Sequence, residues 1–272
     1  MIFNRILIPC DFLEVSYNAL QHGAFVASLT NSNILLLHLM NNADKRAEAE
    51  QSMSNWKQRL EGHFQGKIET FVEEGDIMRD IGSFSSREKC DLVIMPTHGM
   101  KGMQEFTGSM ALNIITEAGA PFIVVQGKPV RQKGYERIVI PVDSREEILD
   151  ASNLFLEIAQ MFNSEVFFVI NTRDEDNGFR KIQKDLEEKF GTAGIKTQSH
   201  DSIKFDFSKD VAEYAGSVNA DLICSVNFAY ENLYSLYPRT DEEDLIYNTS
   251  QIPVLLVTPD SRDNDLDRPL ED

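Results

Sequence analysis

Short apolar runs alternate with longer amphipathic stretches along this chain, and the rhythm holds from the first residues to about residue 257. Residues 5–9 are β-branched and leucine-rich, and Tyr17, Leu20, Ala24 and Ala27 then recur at helical spacing within 13–28. Residues 33–40 (NILLLHLM) form a continuous apolar run of the kind buried on both faces of a parallel sheet. The pattern goes on to predict a long charged helix over 43–64, a strand over 67–72, a helix over 76–88 and a strand over 91–95. A helix over 108–118, with Met110, Ala111, Ile114, Ile115 and Ala118 on one face, leads to a strand over 121–125. The same order returns with strands over 137–141, 165–170, 195–199, 221–226 and 253–257, and helices over 146–162, 178–190 and 207–217.

The second series repeats the first in its letters as well as its rhythm. RILIPCDF at 5–12 returns as RIVIPVDS at 137–144, an offset of 132 residues that also carries Ala27 onto Ala159 and Pro121 onto Pro253. Such a repeat means two copies of one domain. The expected fold is α/β: two tandem doubly wound, Rossmann-like domains, each with a five-stranded parallel sheet flanked by helices. The expected boundaries are a first domain at 1–127, a Gly-, Pro- and Lys-bearing linker at 128–136, a second domain at 137–259, and an acidic disordered tail at 260–272.

Charge separates the two copies. Residues 1–133 carry 13 Lys and Arg against 15 Asp and Glu, a net −2, whereas residues 134–272 carry 13 against 29, a net −16. A field of that sign disfavours nucleic acid and anionic membranes as partners. No apolar run reaches the roughly 18 residues of a membrane span, and the first strand pattern leaves no room for a signal peptide, so the expected location is the cytoplasm. Cys10, Cys90 and Cys224 have no CxxC spacing and support neither a disulfide framework nor a structural zinc site.

In an open parallel sheet the ligand crevice lies beyond the carboxyl ends of the strands, where strand order reverses. Two loops meet that requirement: Pro9, Cys10, Asp11 and Phe12 after the first strand, and residues 95–109 after the fourth. Within the second loop, Met95, Pro96, His98, Gly99, Gly102, Gly108 and Ser109 are the candidate ligand contacts. Glycine lets backbone amides approach a ligand closely, and Gly108 and Ser109 open a helix whose free amides suit a phosphate. Lys101 is the nearby cation on this loop; His98 reads equally as a phosphate contact or a solvated loop residue. Cys10 stands beside Asp11, an acidic neighbour that raises a thiol pKa, so an inert thiol is expected. His38, inside an apolar strand, reads as a satisfied core histidine.

The tandem repeat, the P-x-D ending the first strand, LLLHL, and DLVIMPTHG followed by GS and APFIVVQ together resemble the universal stress protein family over nearly the whole chain. The resemblance implies a stress-response protein that binds an adenine nucleotide, ATP with Mg²⁺. It places Asp11 and Leu39 near the base or ribose, Met95 beside them, and Gly99, Gly108 and Ser109 around the phosphates. It also implies that the two domains pair as an internal pseudo-dimer, with homodimerisation of the tandem chain and an unidentified protein partner left open. Two departures from the family pattern bear on this. Pro96 stands where the family's first glycine belongs, removing an amide donor, and only eight residues separate Gly99 from Gly108 where the family has nine. The corresponding second loop, 225–244, has no glycine: Thr240 and Asp241 replace Gly108 and Ser109, and Tyr230, Tyr234 and Tyr237 are expected to pack over a vacated crevice. Asp143, the counterpart of Asp11, is expected to bond nearby backbone amides. No catalytic constellation stands out. Three functions therefore remain open: a nucleotide-binding regulator with a silent second domain, an interaction scaffold that binds no nucleotide, and a weak ATPase.

Overall fold

The computed structural model of the chain describes residues 2–62, 64–96, 119–127, 129–173, 178–227 and 241–258. Among the described residues ten strands form, most of them along the apolar runs: β1 (Arg5–Pro9), β2 (Asn33–Met40), β3 (Ile68–Glu74), β4 (Leu92–Pro96), β5 (Phe122–Val125), β6 (Arg137–Val142), β7 (Glu165–Asn171), β8 (Lys196–Ser202), β9 (Leu222–Val226) and β10 (Val254–Val257). The helices between them are α1 (Glu14–Thr30), α2 (Arg46–Glu61), α3 (Ile77–Arg87), α4 (Glu147–Phe162), α5 (Gly178–Thr192), α6 (Phe207–Ser217) and α7 (Asp241–Ile246). The charged stretch predicted as one helix over 43–64 is a 3-10 turn at Ala43–Lys45 followed by α2. Asn42 caps the short turn, its side chain accepting the Asp44 amide. The helix predicted over 108–118, with Met110, Ala111, Ile114, Ile115 and Ala118, lies outside the described residues.

Central strands are apolar on both faces because helices cover both. Ile6, Ile8, Ile138 and Ile140 point to one layer, which α1, α2, α4 and α5 complete through Leu20, Trp56, Phe155 and Leu186. Leu7, Val139 and their neighbours point to the other, completed by Phe84 of α3, Val211 of α6 and Leu245 of α7. Each half is parallel within itself, with β1 between β2 and β4 and β6 between β7 and β9. The two halves do not form separate sheets. β5 and β10 pair antiparallel, Leu255 opposite Ile123, giving one ten-stranded sheet in the order β3-β2-β1-β4-β5-β10-β9-β6-β7-β8.

An acidic residue at the start of β4 and again at β9 ties each half together. Asp91 accepts the backbone amides of Asn4 and Arg5 at 2.8–3.1 Å, and Asp221 accepts that of Arg137 at 3.0 Å. These carboxylates satisfy donors that the ends of β1 and β6 would otherwise leave unpaired. Strand order reverses between β1 and β4 in the first half and between β6 and β9 in the second, so each half has one crevice at the carboxyl ends of its strands. No helix among the described residues is long and apolar enough to cross a membrane.

Candidate functional site

At the first reversal the chain leaves β1 through Pro9, Cys10 and Asp11, and β4 ends alongside at Met95 and Pro96. Leu39 lies near the end of the adjoining β2. Of the residues singled out from sequence, Pro9, Cys10, Asp11, Leu39, Met95 and Pro96 therefore share one sheet edge; His98, Gly99, Gly102, Gly108 and Ser109 fall outside the described residues, as does Lys101. Pro96 is the last residue of β4, paired with Val125, and Met95 is fully buried beneath it.

Asp11 is held on one side only. Its Oδ1 accepts the Leu13 amide at 3.0 Å and the Ser16 hydroxyl at 2.6 Å, fixing the start of α1. Its Oδ2 is buried from solvent without a hydrogen-bond partner. A buried carboxylate oxygen left unpaired is costly. Next to it the Cys10 amide donates to Leu37 O at 2.8 Å, extending the β1–β2 ladder by one residue. Burial, and secondarily the Asp11 charge, push the Cys10 thiol far above the usual range, so it stays protonated and is no nucleophile at neutral pH. His38 is tied inward, its Nδ1–H donating to Cys10 O at 2.8 Å.

The second reversal has the same backbone plan and different contents. Asp143 Oδ1 accepts the Arg145 amide at 2.9 Å, as the residue's position suggested, but its Oδ2 is also taken by the Arg145 guanidinium, with Nε at 2.7 Å. What remains is a cavity of about 30 Å³ among residues that include Pro141, Asp143, Arg145, Phe207 and Ser225. That is room for about one water molecule. Thr240, Tyr230, Tyr234 and Tyr237 lie outside the described residues, and Asp241 opens α7. Arg145 is the residue that reading the sequence missed: its only signal was a cation two positions after the repeated aspartate, where the first half has Leu13.

Comparison with known proteins follows the same division. Residues 2–126 match the sequence profile of the Universal stress protein family. The first half of the chain is thus similar to the universal stress protein family. Universal stress protein MJ0531 of Methanocaldococcus jannaschii is 24% identical over 148 residues, covering 48% of this chain and 86% of that protein. Universal stress protein MJ0577 of the same organism is 24% identical over 159 residues, covering 47% and 98%. The likeness of fold extends over both halves. A universal stress protein from Archaeoglobus fulgidus superposes with a TM-score of 0.78 at 18% identity, covering 94% of this chain and 96% of that one. A second, from Pseudomonas aeruginosa and described as a putative universal stress protein, gives 0.64 at 16% identity over 95% and 94%.

Among the described residues no group of three or more His, Cys, Asp or Glu side chains is placed to hold a metal ion. The crevice of the first half, among the described residues, brings the Asp11 carboxylate beside Pro9, buried Cys10 and Met95, and Pro96.

Proposed function

We propose that this protein is a cytoplasmic, stress-response regulator of the universal stress protein family that binds one adenine nucleotide in its first half, while the second half binds none. The observation that carries this reading is the contrast between two equivalent aspartates. Asp11 keeps a buried, unpartnered Oδ2 at the crevice, whereas both oxygens of Asp143 are engaged by Arg145. Ribose hydroxyls and the adenine amino group are donors of the kind Asp11 Oδ2 lacks. Phosphates would be met by the amides of Gly99, Gly102, Gly108 and Ser109, with Mg²⁺ entering on the phosphates. The proposed domains are 1–127 and 137–259, joined by 128–136 and followed by a tail at 260–272. The second domain then serves structure or a protein partner. In support of that role, Ile203 and Phe205 at the end of β8 are 78% and 90% exposed.

Isothermal titration of the nucleotide-stripped protein with ATP and Mg²⁺ tests this. The expected result is one site per chain, weakened at least about tenfold in Asp11→Ala, the scale of a lost charge-assisted hydrogen bond. No heat up to millimolar ATP, with an unchanged melting temperature, would leave the interaction scaffold as the better account. Phosphate release during the same titration would point to the weak ATPase.

A further inference from the structure

Six described residues other than glycine have left-handed backbone conformations, and the internal repeat sorts them. Asn31 (φ 55°) and Asn163 (φ 51°) end α1 and α4, one repeat apart. Lys89 (φ 52°) and Asn219 (φ 54°) precede Asp91 and Asp221 by the same two residues. Gln251 (φ 53°) corresponds to Gly119 (φ 61°), each two residues before the repeated proline. These positions recur because the fold needs a left-handed turn there. Phe12 (φ 65°) stands apart: its counterpart Ser144 is not left-handed, although β1 and β6 and the helices after them match. The fold can therefore make this turn without the strained conformation, and it does so in the half whose aspartate is already satisfied.

A bulky residue at positive φ persists only where its surroundings over-determine it. For Phe12 those surroundings are visible. Its ring lies against His38, centroids 4.3 Å apart at 34°, and meets Trp56 of α2 edge-on at 5.9 Å. His38 in turn grips the same loop through Cys10 O. Trp56 also meets Tyr17 edge-on, at 6.0 Å. The ring is thus seated in an aromatic socket built by β2 and α2, and seating it twists the backbone immediately after Asp11.

We infer that Phe12 is the positioning residue of the crevice: its ring, anchored between His38 and Trp56, holds the loop in the left-handed turn that keeps Asp11 Oδ2 buried and unpaired, ready for a ligand donor. This rests on the nucleotide reading for the identity of the ligand, and on the loop geometry alone for the positioning.

Two measurements on the full chain separate these. Phe12→Gly keeps the left-handed turn accessible but removes the anchor; Tyr17→Leu removes a ring that touches Trp56 and for which no contact with Phe12 is seen, and serves as the packing control. Amide hydrogen exchange without ligand reads the Leu13 amide, which Asp11 Oδ1 holds at 3.0 Å. The expected result is faster exchange at Leu13 and about tenfold weaker ATP binding in Phe12→Gly, with Tyr17→Leu lowering only the melting temperature. Wild-type exchange at Leu13 together with wild-type affinity in Phe12→Gly would overturn the inference and leave Phe12 a packing residue. Faster exchange at Leu13 in a protein whose wild type binds no nucleotide would sustain the positioning role and reject the ligand.

Discussion

Gly134 has a φ of +73°, and a Cβ placed on it would lie 2.5 Å from Phe25 Cε1 and 2.6 Å from Phe162 Cδ1, the rings through which α1 and α4 stack. Phe162 has little room to retreat, because it also packs edge-on against buried Tyr135 at 4.9 Å. Gly134→Ala should therefore cost about 3 kcal/mol, combining left-handed strain with overpacking, and a urea midpoint measures it. Gly119, equally left-handed but with nothing near its absent Cβ, is the comparison: Gly119→Asn should stay within about 1 kcal/mol of wild type. The sequence shows Gly134 only as one letter of a linker, since its constraint comes from two aromatic rings far away in the chain. Cys10 and Asp11 were legible, because the repeat and the end of an apolar run place them at a strand terminus. The engagement of Asp143 by Arg145 was not, since a side chain folding back over two residues leaves no periodicity.

At the scale of elements, legibility followed burial. β2 falls on its predicted 33–40 because its core, Ile34–Leu37, is buried on both faces, whereas β8, predicted over 195–199, runs Lys196–Ser202. β8 is an edge strand, and its KTQSHDS sequence has no apolar alternation to mark an end. Beyond it, α6 is secured by charge. Asp206 caps the helix by accepting the Lys209 amide, and Lys204 Nζ reaches Asp210 at 2.6 Å and Glu213 at 2.7 Å. Burial is the largest single influence and raises the Asp210 carboxyl, but hydrogen bonds from Lys204 and Ser202 and the Lys204 charge together outweigh it and hold the group below the usual aspartate range. A carboxyl depressed in the folded state contributes stability above its unfolded pKa, near 4, and loses it as pH falls through the lower folded value. Asp210→Asn should thus be less stable than wild type by roughly 1 kcal/mol at pH 7, Lys204 being half exposed. The difference should close as the pH is taken below about 4, and urea midpoints of both proteins across that range check the sign.

The whole molecule is joined along β5 and β10, and the seam is more than a strand pair. Gln126, almost fully buried, donates from Nε2 to Ile246 O at 2.6 Å and to Asn248 O at 3.3 Å, crossing from one half to the other. Asn248 closes its own turn through Leu245 O, Ile252 O and the Ile252 amide, so Gln126 is hydrogen-bonded to a rigid acceptor pair. Asn18 of α1 donates to Gly127 O at 2.9 Å, and buried His22 and Tyr135 share a hydrogen bond at 2.8 Å beside the Phe25–Phe162 stack. With one sheet and a common helical layer, neither half can lose its edge at this seam without exposing apolar surface on both. The chain should therefore unfold as a single cooperative unit. Its one tryptophan, Trp56, reports on the first half only, whereas far-UV circular dichroism reports on both. The two urea transitions should coincide. Gln126→Leu removes the side-chain donor from the buried Ile246 carbonyl, while Asn248 O keeps the Gln251 amide at 3.0 Å, and should lower the stability reported by both curves together, by about 2 kcal/mol. If the halves were independent, the Trp56 curve would separate from the dichroism curve already in the wild type, and the substitution would move them unequally.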